Sequence, residues 1–237
     1  MKNVIDILKE SKATTFILTI NLIVFVLILA NGGFNPTNLV RFGASNSELI
    51  KEGQYFRLLT SLFIHHSWIH FIFNMFVICM MAPSVESKFG SWVLLGVFLL
   101  AGLFDELFSF LISDKWQSAG GSSTGFFGLY GLAIGTLLFY KDQNLNQWAK
   151  QFILPMVIIF IVSEIYFRIT AGMPDFIFEY SQGHITGFVA GLILAGIFVP
   201  RGYYLDKKIR IICGIFFVGL LVLFLFFGFL PKLKSKL

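Results

Sequence analysis

Two polar residues, Ser123 and His184, stand at the starts of two apolar runs of the sequence. Ser123 lies in segment 121–124, which reads GSST, and His184 directly follows a glycine. A serine hydroxyl becomes an effective nucleophile when a neutral imidazole within hydrogen-bond reach accepts its proton. If the two runs form neighbouring helices, Ser123 and His184 are therefore a candidate nucleophile and general base.

Each of these residues also has a plainer interpretation. Serine is common at the start of a helix, where its hydroxyl caps free backbone N–H groups. The glycines at 121, 125, 128 and 131 could serve only to pack one helix against another. A lone histidine at a helix end could simply bond a backbone carbonyl group. Neither segment establishes a reaction when it is taken alone.

His70 and Asn74 are four residues apart, so a helix would place both side chains on one face. Both can donate a hydrogen bond, and acyl transfer needs donors aimed at the oxyanion that develops on the substrate carbonyl. The alternative is a metal site built from His65, His66 and His70. We disfavour it, and with it a zinc-dependent intramembrane enzyme, because the sequence has no HExxH motif and the cluster contains no acidic residue.

The composition predicts an integral membrane protein. Of the 237 residues, 57% are hydrophobic and 13% are charged, whereas about a quarter of the residues of an average soluble domain are charged. The net charge of +5 comes mostly from Lys and Arg between apolar runs, which is typical of membrane topology signals and not of a nucleic-acid-binding face. Cys79 and Cys213 lie within apolar runs and indicate neither a disulfide framework nor a metal cluster. We therefore expect contact with the lipid bilayer and no nucleic acid partner.

Seven apolar runs approach the length of about 20 residues that a membrane-spanning helix needs. They lie near residues 14–31, 66–83, 91–112, 122–140, 152–170, 183–199 and 211–230. The long stretch from about 32 to 65 is rich in Phe, Leu and Ile, which predicts a loop packed against the bilayer surface.

The distribution of basic residues predicts the orientation of these runs. With Lys2, Lys9 and Lys12 in the cytoplasm, the inner loops also hold seven basic residues, as the positive-inside rule expects, namely Lys88, Lys141, Lys150, Arg201, Lys207, Lys208 and Arg210. The seventh run then leaves the basic C-terminal tail outside, against the same rule. The fourth and sixth runs both start at the outer face, which predicts similar depths for Ser123 and His184.

Several short motifs follow one another between about residues 40 and 200. They are Phe56-Arg57 in the long loop, residues 65–74 (HHSWIHFIFN), Val85-Glu86 with Phe89-Gly90, residues 121–124 (GSST), and Gly183-His184 with Gly187 and Gly191. Each motif is weak alone, but the ordered set resembles the rhomboid family of intramembrane serine proteases.

The resemblance implies a role for each matching position. Ser123 would be the nucleophile and His184 the general base, with no aspartate needed as a third member. His70, Asn74 and the backbone amide of Ser123 would hold the oxyanion, and Phe127 stands where the family often has an aromatic ring stacked on the base. Supporting positions are Gly121, Gly187 and Gly191. No metal or organic cofactor is implied.

Other residues lie outside the family pattern. Thr124 stands where the family most often has glycine, and a β-branched residue disfavours the unusual backbone angles that glycine permits. Asp105 and Glu106 form an acidic pair in the third run that could bond the long loop, line a water path or face the substrate. Glu164 and Arg168, one helical turn apart, could neutralise each other.

The predicted fold class is all-α, a polytopic membrane helical bundle with a rhomboid-like six-helix core and one C-terminal transmembrane helix. We predict one domain over residues 1–237, with the catalytic core at about 14–200 and the extra span at about 211–230. The implied function is cleavage of single-span or polytopic membrane proteins in or near a membrane helix, in a bacterial plasma membrane, with the N-terminus cytoplasmic and the site open to the outer face.

Two alternatives remain at this point, and the oligomeric state is not predicted. A rhomboid-like pseudoprotease would bind membrane clients without cutting them, but Ser123 and His184 are both present. A small transporter would use its polar intramembrane residues to line a pathway, but no repeat relates the two halves of the sequence.

Overall fold

The computed structural model describes residues 4–112, 117–171 and 177–230. The α-helices are α1 (Val4–Glu10), α2 (Lys12–Ala30), α3 (Pro36–Arg41), α4 (Ser47–Lys51), α5 (Arg57–Thr60), α6 (Trp68–Phe89), α7 (Ser91–Ile112), α8 (Ser123–Phe139), α9 (Gln143–Lys150), α10 (Ile153–Ala171), α11 (Ile177–Ala195) and α12 (Lys207–Leu223). A 3-10 turn covers Ser61–Phe63, and a π-helical segment covers Phe224–Phe229.

Each of the seven predicted runs falls on a long helix. Segments of α2, α6, α7, α9 with α10, and α12 with the π-helical segment are long and apolar enough to cross a membrane. The other two, α8 and the Gln182–Ala195 part of α11, are apolar but shorter. The predicted all-α, multi-pass membrane fold is confirmed.

Two very short strands were not predicted from the sequence. Strand β1 (Ser45–Asn46) pairs antiparallel with β2 (Gln117–Ala119). Strands of this length carry too few residues for an alternating hydrophobic pattern to be recognised. The pair leaves the fold class unchanged, and it connects the long loop between α2 and α6 to the segment that precedes α8.

The middle of the bundle is formed by α8, which packs against α7 and α11. The contact between α8 and α11 depends on glycine, because an ideal Cβ at Gly191 would overlap the carbonyl oxygen of Gly128. A Cβ at Gly187 would overlap the carbonyl oxygen of Thr124 in the same way. The two helices therefore meet backbone to backbone, as small residues allow in membranes.

We expect Gly191→Ala to destabilise the bundle by about 2 kcal/mol, because the added methyl group forces α8 and α11 apart in a close-packed core. The check is the midpoint of thermal unfolding of the protein in detergent. Gly214→Ala on α12 is the matched control, since a Cβ there meets nothing within 4 Å. An equal midpoint for both variants would contradict the packing argument.

The N-terminus of α2 is capped from a distant helix. The preceding residue, Ser11, makes no capping hydrogen bond with its side chain. Instead, the Glu86 carboxylate of α6 accepts from the backbone N–H groups of Ala13 and Thr14 at 2.8 and 2.9 Å. It also accepts from the hydroxyls of Thr14 and Ser91 at 2.7 and 2.6 Å. One side chain thus satisfies N–H groups that a helix start leaves without partners.

We expect Glu86→Ala to lower the free energy of unfolding by about 3 kcal/mol, because it leaves two buried helix donors without acceptors. The check is again thermal unfolding in detergent. Glu48→Ala is the control, since that side chain is 51% exposed and pairs with Lys51 at the surface. If Glu86→Ala lowers the thermal midpoint no more than Glu48→Ala does, water replaces the carboxylate as the acceptor for these N–H groups.

The outer surface of the bundle is apolar. On α10, for example, Leu154, Ile161 and Ile169 are exposed. Such a surface would be an aggregation hazard in water but suits the hydrocarbon of a bilayer. The C-terminal helix α12 and the π-helical segment after it pack through aromatic rings. The ring centroids of Phe217 and Phe224 lie 5.6 and 5.1 Å from that of Phe104 on α7. The division into a core at 14–200 and an added span stays a prediction.

Candidate active site

Ser123 is the first residue of α8, and the backbone before it is held from both sides. Gly121 has a φ of +140°, which residues with a side chain rarely adopt. Its N–H donates to the carbonyl oxygen of Ser61 at 2.9 Å. The Ser122 hydroxyl lies 2.7 Å from the side-chain oxygen of Asn21 on α2. The amide of Ser123 is therefore presented at a rigid helix start, where N–H groups have no intrahelical acceptor.

A single cavity of about 80 Å³ brings together Ser123, His184, His70 and Asn74. Its other lining residues are Ile69, Phe73, Phe126, Val162, Ser163 and Tyr166. Among the hydrogen bonds of the described residues, none joins the side chains of Ser123 and His184 directly. Such bonds are often long in a resting site and tighten when substrate is bound.

The imidazole of His184 is buried and fixed on several sides. The ring of Phe127 stacks on it with centroids 4.5 Å apart and an interplanar angle of 24°. The ring of Phe160 lies edge-on at 6.2 Å. The Nδ1 atom of His184 lies 3.5 Å from the hydroxyl oxygen of Ser163 and 3.8 Å from Oε1 of Glu164. One face of the His184 ring is therefore covered by Phe127, and its Nδ1 edge faces polar side chains of α10.

His70 and Asn74 lie buried on α6, next to the turn before α8. A Cβ at Gly121 would come within 2.9 Å of His70 Nε2, so only glycine leaves room for this ring. The Nδ2 atom of Asn74 is buried and has no hydrogen-bond partner within the described residues. A buried donor without an acceptor is costly in a fold, which points to a function.

His65 lies in the loop before α6, with its ring 5.0 Å from that of His70. Burial lowers the pKa of His65 to about 3, so the imidazole is neutral at any physiological pH. The described part of the chain has no group of three or more His, Cys, Asp or Glu side chains placed to hold a metal ion.

The acidic pair on α7 organises the surroundings of the cavity. The Glu106 carboxylate accepts from the hydroxyls of Ser45 and Ser61 at 2.6 and 2.8 Å, so of the three predicted possibilities it bonds the long loop. The Asp105 carboxylate accepts from the hydroxyl of Thr186 at 2.5 Å. Because Thr186 is two residues from His184, Asp105 anchors the segment of α11 that carries the imidazole.

The departure at Thr124 does not disturb the backbone in the way the sequence suggested. Thr124 is the second residue of α8, where an ordinary helical conformation suits a β-branched residue. The positive φ lies at Gly121 instead, three residues earlier. The Thr124 hydroxyl faces α11, since it would lie 3.1 Å from a Cβ at Gly183.

Sequence reasoning missed two features of the site. Asn21 of α2 holds Ser122, and Ser163 with Glu164 borders His184. The only available signal was that each is a polar residue within an apolar run. The predicted pairing of Glu164 with Arg168 cannot be followed, because the side chain of Arg168 lies outside the described residues.

The sequence is similar to those of known proteins of one family. Residues 52–201 match the family model of the rhomboid domain. The chain is 29% identical over 217 residues to the rhomboid protease GluP of Bacillus subtilis, covering 91% of this chain and 40% of that protein. It is 30% identical over 166 residues to rhomboid-like protease 2 of Toxoplasma gondii, covering 69% of this chain and 54% of that protein.

A third relative is named a serine protease. Rhomboid-type serine protease 2 of Emericella nidulans is 25% identical over 169 residues, covering 71% of this chain and 32% of that protein. The chain thus spans about half or less of the length of these curated relatives. Because the family model matches well over half of the sequence, the chain belongs to the rhomboid family.

Proposed function

We propose that this chain is an intramembrane serine endopeptidase that cleaves membrane proteins in or near a transmembrane helix. Ser123 is the nucleophile and His184 is the general base. The observation that carries the proposal is that one cavity is lined by Ser123, His184, His70 and Asn74. The names of its relatives, which include a serine protease, support the same activity.

In the first half of the reaction, Oγ of Ser123 attacks the carbonyl carbon of the scissile peptide bond, and Nε2 of His184 takes the hydroxyl proton. The tetrahedral intermediate collapses when His184 returns this proton to the leaving amine, which breaks the C–N bond and leaves an ester on Ser123. In the second half, His184 takes a proton from water, the hydroxide attacks the ester, and the carboxylic acid product leaves as Ser123 regains its proton.

Three donors stabilise the oxyanion in this mechanism. They are the backbone amide of Ser123, the side chain of His70 and Nδ2 of Asn74. The first benefits from the positive end of the α8 dipole. The absence of any other acceptor for Nδ2 of Asn74 within the described residues supports its role, because this donor is already desolvated and free to bond the oxyanion.

The proposed substrates are single-span or polytopic membrane proteins whose helix can unwind locally. A helix hides its peptide bonds in its own hydrogen bonds, so Gly, Pro and small residues near the cut should favour cleavage. We also propose that the cavity opens to the outer face of a bacterial plasma membrane. Lys141 and Lys150, which follow the opposite end of α8 from Ser123, are consistent with a cytoplasmic inner side.

The test is cleavage of a panel of tagged single-span proteins with Gly- or Pro-containing helices in liposomes, by the intact protein and by Ser123→Ala. Both proteins must have the same thermal midpoint. We expect products from the intact protein and none from the variant. Binding of substrates without cleavage, by a protein that also fails to react with a fluorophosphonate, would instead establish a pseudoprotease.

A further inference from the structure

Building on the proposed function, we infer that Glu164 is a positioning residue for His184. It acts, together with Ser163, on the imidazole nitrogen opposite to the one that serves Ser123. A dyad needs no third member by itself, so this assigns to α10 a part in the reaction beyond framing the cavity. The site would then work as a serine, a histidine and a distal carboxylate supplied by a neighbouring helix.

The hydrogen-bond directions around Nδ1 of His184 support this role. The Ser163 hydroxyl donates its one hydrogen to the carbonyl oxygen of Phe160 at 2.8 Å. It therefore presents a lone pair to Nδ1, 3.5 Å away. Oε1 of Glu164, at 3.8 Å from the same nitrogen, is a second acceptor. Two acceptors at one nitrogen favour the tautomer with its proton on Nδ1, which leaves the lone pair on Nε2 for Ser123.

His184 and Glu164 are both largely shielded from solvent, so a charge on one affects the other strongly. The side chain of His184 is 4% exposed and that of Glu164 is 13% exposed. Oε1 of Glu164 has no hydrogen-bond partner within the part of the chain that the structure describes. A carboxylate among apolar residues of a membrane-facing helix is costly, so it is expected to interact with a specific neighbour. Within the described residues, the imidazole of His184 is such a neighbour, with its Nδ1 atom 3.8 Å from Oε1 of Glu164.

The interaction gains strength during the reaction. When Nε2 takes the proton of Ser123, the imidazole becomes a cation beside the carboxylate, and their attraction is weakly screened in a buried site. A closure of about 1 Å would turn the contact into a charge-assisted hydrogen bond. The other titratable groups that face this region are His70 on α6, Tyr166 on α10 and Asp105 on α7, and Asp105 is bonded to Thr186.

The first arm of the test needs no catalytic activity. The chain has four histidines, so the signals of His184 in a ¹⁵N-histidine NMR spectrum can be assigned by their loss in His184→Gln. We expect the Nδ1–H tautomer in the intact protein, and a mixture of tautomers in the double variant Ser163→Ala with Glu164→Leu. The Nε2–H tautomer in the intact protein, or no change in the double variant, would overturn the inference.

The second arm measures the rate of Ser123 acylation by a fluorophosphonate between about pH 5 and pH 9. Glu164→Gln keeps the shape of the side chain but removes its charge. We expect the acid limb of the pH–rate profile to move about one unit lower and the plateau to fall about tenfold, because the imidazolium loses its counter-charge.

Ser163→Ala is the matched neutral control and should lower the plateau without moving the acid limb. Equal thermal midpoints for the three proteins would exclude unfolding as the cause. If the acid limb of Glu164→Gln coincides with that of the intact protein, Glu164 has only a structural role. If the intact protein is not acylated at all, the proposed function fails, while the tautomer measurement still decides whether Ser163 and Glu164 together orient the imidazole of His184.

Discussion

Replacing His184 should lower kcat for cleavage of a membrane substrate by about ten-thousandfold or more, because Ser123 loses the base that takes its proton. His184→Ala removes the ring, and His184→Phe keeps a flat ring that can still stack on Phe127. Both should lose the same activity, which separates proton transfer from packing. The measurement is single-turnover cleavage of a tagged substrate in liposomes.

The control for this result is the fold of each variant. The ring of Phe127 packs on that of His184 at 4.5 Å, so the alanine variant should melt somewhat below the phenylalanine variant. Activity above about one hundredth of the intact protein's in either folded variant would show that another group takes the proton.

The second large effect is expected at Asn74. Asn74→Leu has a similar volume but no donor, and we expect kcat to fall by about a hundredfold to a thousandfold with little change in KM, as for loss of one oxyanion donor. The fold should not suffer, because the buried Nδ2 atom has no hydrogen-bond partner within the described residues. A variant that keeps its thermal midpoint while losing catalysis is the signature of a group held for the transition state.

A matched control is available on the same helix. Cys79 lies on α6 beyond the residues that line the cavity, so Cys79→Ala should change kcat by less than about twofold. If Asn74→Leu retains at least a third of the activity of the intact protein, Asn74 does not contact the oxyanion, and the donors reduce to His70 and the amide of Ser123.

Buried acidic groups form the framework that keeps this site in shape. Glu86 caps α2, and Glu106 holds two hydroxyls of the long loop. Asp105 holds α11 through Thr186, close to His184. In each case at least one hydroxyl or N–H group donates to a carboxylate that the apolar surroundings would otherwise penalise. The helices of the bundle are therefore joined by directional bonds as well as by packing, which suits a site whose parts come from different helices.

Some features of the protein were readable from local sequence. The apolar runs identified the long helices, because a run long enough to cross hydrocarbon must satisfy its backbone within the segment itself. The spacing of His70 and Asn74 also predicted that they share one helix face, because side chains four residues apart lie one turn above each other in a helix. The order of short motifs then identified the family, with Ser123 and His184 at matching positions.

Other features depend on contacts between distant segments, and local spacing carries no information about them. The meeting of Ser123 and His184 in one cavity follows from the glycine contact between α8 and α11. Of the three environments predicted for the acidic pair, Glu106 has the first, since it bonds the long loop, whereas Asp105 bonds Thr186 of α11, which was not among them. The approach of Glu164 to His184 depends on how α10 is rotated against α11. The sequence by itself determined the membrane helices, the family and the candidate dyad, because each is encoded in short stretches of chain. Only the tertiary structure decided which polar groups face one another, because that depends on helix rotation and separation within the assembled bundle.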